Sequence, residues 1–199
     1  MKEIRSVSFD TSFLLSRKTG VDQVLKIIKH DQIKCYLTST VISELEQLKV
    51  WDRIDEQMFK LAWSRWQHLG GSVINFKNRT LSTEINKYCT DSMEFYHGVS
   101  EKNIINDCNI IVNSLKNGVD LFLSEDYHFT SKITLQVLDE ITNKACKEYY
   151  QMCDEEMFSI DTDIFLAAYN DGKIDIDIVE SKRKSIIKPE KTLKGRNGH

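Results

Sequence analysis

The chain has 199 residues, of which 41% are hydrophobic and 29% charged, and its net charge is −3. This length suits one domain with a full core, and the composition excludes wholesale disorder. The sequence shows no signal-peptide pattern and no membrane-spanning run, so we expect a cytoplasmic protein without membrane contact. The five cysteines lack zinc-site spacing and are expected to be reduced thiols.

Short β-like runs alternate with helical patterns along the chain. The predicted strands cover about residues 5–9, 35–37, 72–76, 121–124 and 157–160. Helices are predicted at about 21–28, after a cap at 38–40, and at 51–69, 81–88, 101–116 and 133–150, with a loop at 90–100. This alternation predicts an α/β fold, a three-layer α/β/α sandwich with a mostly parallel central sheet.

Charge separates the end of the chain from the rest. Residues 182–199 hold seven Lys/Arg against one acid, a net of +6, which leaves −9 on the remainder. We predict one domain over 1–180 and a basic, flexible tail over 181–199. In this tail Lys182, Arg183, Lys184 and Lys188 are candidates for contact with nucleic-acid phosphates, and a solvated, solubilising end is the alternative.

Four acidic residues occupy positions that favour a shared site. Asp10 and Asp126 follow predicted strands, where ligands bind in parallel α/β sheets. Glu44 and Asp107 flank the apolar stripes of two helices in the same register. Four carboxylates in one place would suppress one another's ionisation unless a cation lay between them.

An oxygen-only donor set favours Mg²⁺ or Mn²⁺ over Zn²⁺. Each acid also has a structural alternative, since Asp10 and Asp126 could cap helices and Glu44 and Asp107 could be solvated helix residues. The sequence echo between 8–11 and 159–162 makes Asp161, with nearby Asp163, a rival for the strand-end site.

Four short segments together resemble the PIN-domain nuclease family, which includes the VapC-type toxins of toxin–antitoxin pairs. They are Phe9-Asp10-Thr11-Ser12, Ser39-x-x-x-x-Glu44, Asp107-x-x-Ile110-Ile111 and Ser124-x-Asp126-x-x-Phe129. The resemblance implies an Mg²⁺- or Mn²⁺-dependent endoribonuclease that cuts RNA, with the four acids as catalytic metal ligands. It also implies that Thr11, Ser12 and Ser124 help to orient ligands or water.

The chain departs from the family's small toxins in length, because the region from about 51 to 100 looks enlarged. An antitoxin protein and a second copy of the chain are nevertheless candidate partners besides RNA. The alternatives are a housekeeping RNA-processing nuclease and an inactive PIN-like module for RNA binding or assembly. A haloacid-dehalogenase-type phosphatase is excluded, because its motif needs a second Asp two residues after the first, where this chain has Ser12.

Overall fold

The computed structural model describes residues 1–75, 79–98, 100–149, 152 and 156–183, with the backbone alone at 79–82, 102 and 103. The strands are β1 (Lys2–Glu3), β2 (Ser6–Phe9), β3 (Lys34–Thr38), β4 (Ser72–Ile74), β5 (Leu121–Leu123), β6 (Phe158–Ile160), β7 (Tyr169–Asn170) and β8 (Lys173–Ile174). The helices are α1 (Thr11–Leu15), α2 (Thr19–His30), α3 (Ser39–Val50), α4 (Glu56–Leu69), α5 (Arg79–His97), α6 (Glu101–Lys116), α7 (Tyr127–Thr130), α8 (Lys132–Tyr149), α9 (Thr162–Ala168) and α10 (Ile176–Lys182).

Five parallel strands form the central sheet, in the spatial order β4-β3-β2-β5-β6. Every residue of β2, β5 and β6 is buried, as expected for strands covered on both faces. The predicted α/β class with a parallel central sheet is therefore confirmed.

The order of the strands reverses next to β2. The chain builds outward from β2 through β3 to β4, and then returns to add β5 and β6 on the other side. Since parallel crossovers are right-handed, connections in the two directions place their helices on opposite faces of the sheet. In such sheets ligands usually bind in the crevice at the point of reversal, which here lies beyond the carboxyl ends of β2 and β5.

Two groups of helices cover the sheet. Helix α2 contacts α4 and α9, and α9 contacts α10, whereas α5 packs between α6 and α8. Helix α3 contacts both α4 and α6, so it links the two groups. This arrangement is compatible with the predicted three-layer sandwich. Within the described ranges, no helix has the length and apolar character needed to cross a bilayer.

The predicted helix over 51–69 is wrong at its start. Helix α3 continues to Val50, Asp52 adopts a left-handed backbone (φ 53°), and α4 begins only at Glu56. The cause is a cap: the Asp55 side chain accepts a hydrogen bond of 2.7 Å from the Met58 backbone N–H.

The predicted loop over 90–100 is also wrong, because α5 continues to His97. Ile85, Cys89 and Met93 are fully buried at intervals of four residues. These residues form an apolar stripe that holds α5 between α6 and α8. The mixed aromatic and polar composition of this segment conceals that stripe.

A small antiparallel sheet, in the order β1-β8-β7, was not predicted. Its hairpin turns at Asp171 and Gly172, whose φ angles are 46° and 75°. Asp-Gly is a strong hairpin signal, because both positions need a left-handed backbone.

Among the described cysteines, Cys35, Cys89 and Cys108 are buried free thiols, whereas Cys146 is disulfide-bonded. The expectation of reduced thiols is therefore wrong for Cys146. The cellular compartment stays a prediction.

The boundary predicted for the basic tail is also wrong. Helix α10 continues to Lys182, and Arg183 is only 4% exposed. The Arg183 guanidinium donates hydrogen bonds of 3.3 Å to the backbone oxygens of Thr130 and Ser131. Arg183 therefore belongs to the folded body and is not available to nucleic acid, while Lys182 is exposed. Lys184 and Lys188 lie outside the described residues.

Candidate active site

Asp10 lies at the carboxyl end of β2, inside the crevice where the strand order reverses. Its backbone N–H donates to the Leu123 oxygen (2.9 Å), which sets Asp10 beside the end of β5. The Ser124 and Ser12 hydroxyls both donate to Asp10 Oδ2, at 3.0 and 2.5 Å. Burial raises the pKa of Asp10, although these hydroxyl bonds act in the opposite direction. Asp10 is thus a desolvated carboxylate held by two serines from different strand ends.

Glu44 reaches the same crevice from α3, which Thr38 caps at the end of β3. The Thr11 hydroxyl donates a hydrogen bond to Glu44 Oε2, so α1 and α3 are joined at this carboxylate. Burial raises the pKa of Glu44, the Thr11 bond lowers it, and the neighbouring charge of Asp10 raises it further.

Asp107 lies on α6, and its ionisation is strongly perturbed. Burial raises its pKa to about 8, with further increases from the charges of Asp10, Asp126 and Glu44, in that order. Such repulsion acts only over short distances in a partly desolvated site. Asp107 therefore lies within electrostatic range of the other three acids, and burial together with their charges favours its protonated form at neutral pH.

Asp126 is the fourth member of the acid cluster, which consists of Asp10, Glu44, Asp107 and Asp126. Its side chain is 38% exposed. It caps α7 by accepting from the His128 backbone N–H (2.9 Å), and the His128 ring Nδ1 lies 3.0 Å from the same oxygen. Its own N–H donates to the Ser124 hydroxyl (3.0 Å). The structural alternative of helix capping therefore holds for Asp126, and for Asp10 too, whose side chain accepts from the Ser12 N–H. Capping and membership of the cluster coexist in these two residues.

The donor chemistry of the cluster fits a hard divalent cation. It consists of carboxylates and hydroxyls, with neither thiolate nor imidazole among the four predicted ligands. In the described part of the chain, no three His, Cys, Asp or Glu side chains are placed to hold one ion together. Mg²⁺ needs fewer protein ligands than that, because it is usually held by one or two carboxylates plus waters and substrate phosphates.

Sequence reasoning missed the part played by Glu125 and Lys18. The Glu125 backbone N–H donates to the Ser12 hydroxyl (3.0 Å), and its carboxylate accepts from the Thr162 N–H (3.1 Å). Lys18 Nζ pairs with the same carboxylate at 2.5 Å. Glu125 thereby ties the ends of β2, β5 and β6 together and fixes the loop that carries Asp126. Its position beside Asp126 was the available signal.

The rival acids Asp161 and Asp163 have separate partners. Asp161 caps α9 by accepting from the Ile164 N–H (2.8 Å), and Asp163 pairs with Lys18 at 3.2 Å. The echo between 8–11 and 159–162 thus reflects a repeated local structure, a strand followed by an Asp cap and a short helix.

Two histidines lie beside the acids. His97, at the end of α5, packs its ring against His128, with ring centroids 5.3 Å apart. Burial lowers the pKa of His97 to about 4, helped by the neighbouring His128 and opposed by Asp126. His97 is therefore neutral at physiological pH and does not neutralise the carboxylates.

Comparison of the chain with protein-family models, curated proteins and solved structures gives no match.

Proposed function

We propose that this protein is a divalent-metal-dependent endoribonuclease that hydrolyses RNA phosphodiester bonds. One observation supports the proposal: Asp107 is buried on α6, and the charges of Asp10, Asp126 and Glu44, which come from three other chain segments, add to the burial that raises its pKa. Buried like charges cost free energy unless a positively charged ligand offsets them. The resemblance of the same residues to the PIN-domain motifs supports phosphodiester chemistry.

In this proposal Asp10 and Asp126 would hold Mg²⁺ or Mn²⁺, and Glu44 and Asp107 would orient its waters or a second ion. When bound, such an ion activates a water and offsets charge on the phosphate. The chain itself supplies the positioning. Ser12 and Ser124 fix the Asp10 carboxylate, and Thr11 fixes Glu44.

The deciding experiment measures cleavage of a mixed RNA pool by the full chain with Mg²⁺, with Mn²⁺ and with EDTA. Glu44→Gln and Glu46→Gln form a matched pair, since both lie on α3 but Glu46 is exposed. We expect cleavage with either ion and none with EDTA. Glu44→Gln should reduce the rate by about 10²-fold or more, because metal catalysis contributes several kcal/mol. Glu46→Gln should leave it unchanged, and equal rates for the two variants would contradict the proposal.

A second candidate is a PIN-like module that binds RNA or assembles with it but does not cut. The placement of the acids favours it, because no three of the described ones are set to share an ion. RNA binding without cleavage under every metal condition would select this alternative. An antitoxin protein, a second copy of the chain and a housekeeping RNA-processing role stay predictions.

A further inference from the structure

An exposed aromatic ring lies directly beside the acid cluster. Tyr127 follows Asp126 in the chain, so their Cα atoms are ~3.8 Å apart. Tyr127 is 48% exposed even though it belongs to a short helix whose next aromatic residue, Phe129, is buried. The Tyr127 ring is therefore presented at the edge of the site rather than used in the core.

Two neighbouring rings hold Tyr127 in place. The His128 ring lies 4.1 Å away between centroids, and the His97 ring meets Tyr127 edge-on at 6.1 Å and 72°. His97 comes from α5, so the contact joins distant parts of the chain. A ring fixed by packing loses little further freedom when a ligand stacks on it.

The negative charge of the chain before residue 182 favours RNA binding at this edge through bases rather than through phosphates. The chain before residue 182 carries a net charge of −9, so its overall field repels polyanions. Aromatic stacking is insensitive to that field, because every nucleobase offers a flat, uncharged face.

Resting on the proposed ribonuclease function, we propose that Tyr127, braced by His97 and His128, is a positioning residue that stacks on one unpaired nucleobase next to the scissile phosphate. The site then selects single-stranded RNA, because a base in a duplex is already stacked and paired. The stack also sets which phosphate reaches the acids, since the ring and Asp126 are adjacent in the chain.

The test measures binding without cleavage, by fluorescence anisotropy of a labelled unstructured RNA oligomer in EDTA. Tyr127→Ala removes the ring, Tyr127→Phe keeps it, and Trp51→Ala removes an aromatic that is 64% exposed at the end of α3. We expect Tyr127→Ala to weaken binding by about 5- to 150-fold, the range for loss of one base stack. Tyr127→Phe and Trp51→Ala should bind like the unmodified chain.

An abasic scan of the same oligomer identifies the stacked base. Removing one base should weaken binding to the unmodified chain and cause no further weakening in Tyr127→Ala. Equal affinity of Tyr127→Ala and the unmodified chain, or equal weakening in the Ala and Phe variants, would overturn the stacking role. If Tyr127 stacks on a base but the chain does not cleave RNA with any metal, the nuclease function alone is refuted. If the chain cleaves RNA and Tyr127→Ala binds and cleaves as well as the unmodified chain, the stacking role alone is refuted.

Discussion

The two ends of the central sheet use acidic residues in opposite ways. At the amino end, Asp120 Oδ2 accepts from the Arg5 and Ser6 N–H groups and from the Ser6 hydroxyl, at 3.0, 2.9 and 2.8 Å. Asp31, at the same end, has its pKa lowered by hydrogen bonds from Tyr169 and then from His30. At the carboxyl end, the pKa of Asp107 is raised to about 8.

This difference separates acids that stabilise the fold from acids that cost it stability. Three hydrogen bonds to Asp120 join neighbouring strands, and hydrogen-bond donors around Asp31 favour its negative charge. At the crevice, burial and neighbouring carboxylates make negative charge unfavourable. A folded protein retains such a cluster at a cost, which is why strongly perturbed groups in a cleft indicate function.

The largest effect should come from a comparison of two acids that both cap a helix after a strand. Asp10→Asn should reduce metal-dependent RNA cleavage by about 10²- to 10³-fold, because it removes a proposed metal ligand. Asp161→Asn should leave cleavage unchanged. Asn caps helices about as well as Asp, so neither variant should melt at a lower temperature than the unmodified chain. Comparable cleavage by the two variants would contradict the assignment of Asp10.

At the amino end of the sheet, we expect a substitution to lower stability and leave cleavage unchanged. Asp120→Ala removes three hydrogen bonds that join β2 to the start of β5. We expect it to lower the free energy of unfolding by about 2–4 kcal/mol, at roughly 1 kcal/mol for each bond. Chemical denaturation measures this decrease, and cleavage per folded molecule should not change. A large drop in the activity of the folded fraction would show that the two ends are coupled.

The next largest effect should be the pH dependence of stability, which comes from Asp107 at the carboxyl end of the sheet. The pKa of Asp107 is about 8 in the folded protein against an ordinary value of 3.8, so the unfolded chain releases this proton first as pH rises. The free energy of unfolding therefore falls from about pH 4 to pH 8 through this group. Asp107→Asn should remove that decrease and stabilise the metal-free protein at pH 7 by about 1 kcal/mol or more, since each pKa unit is worth 1.36 kcal/mol.

Thermal denaturation in EDTA between pH 4 and pH 8 measures this difference. One kcal/mol corresponds to about 2–4 °C in melting temperature for a chain of this size. The gap between Asp107→Asn and the unmodified chain should widen with pH and shrink when Mg²⁺ is added. A gap that does not vary with pH would mean that Asp107 ionises normally.

The smallest effect is expected from the basic end of the chain. Deletion of 184–199 removes five Lys/Arg but keeps the buried Arg183. If those residues bind phosphates, RNA affinity should fall a few-fold, and the slope of log affinity against log salt should decrease by about 0.7 for each phosphate that is no longer neutralised. Titrations at several salt concentrations check this, and an unchanged slope would leave the segment a solubilising role.

Much of the fold follows from local sequence patterns. The strand at β2 and the helix at α6 were predicted nearly to the residue, because apolar periodicity and end signals such as Asn117-Gly118 are local. Prediction failed at α5, where the buried stripe of Ile85, Cys89 and Met93 was masked by polar neighbours. It also failed at Arg183, whose basic character suggested exposure although its partners, Thr130 and Ser131, are distant in the chain.

Some features of the candidate site also follow from local sequence, whereas others depend on the tertiary structure. The sequence alone determined that acids follow strands and flank helix stripes, since these are properties of neighbouring residues. Only the tertiary structure decided that β5 lies beside β2, that Ser124 bonds Asp10, and that Tyr127 is braced by His97. The pKa of Asp107 likewise depends on desolvation and on charges that folding brings together, so no local pattern in the chain could supply it.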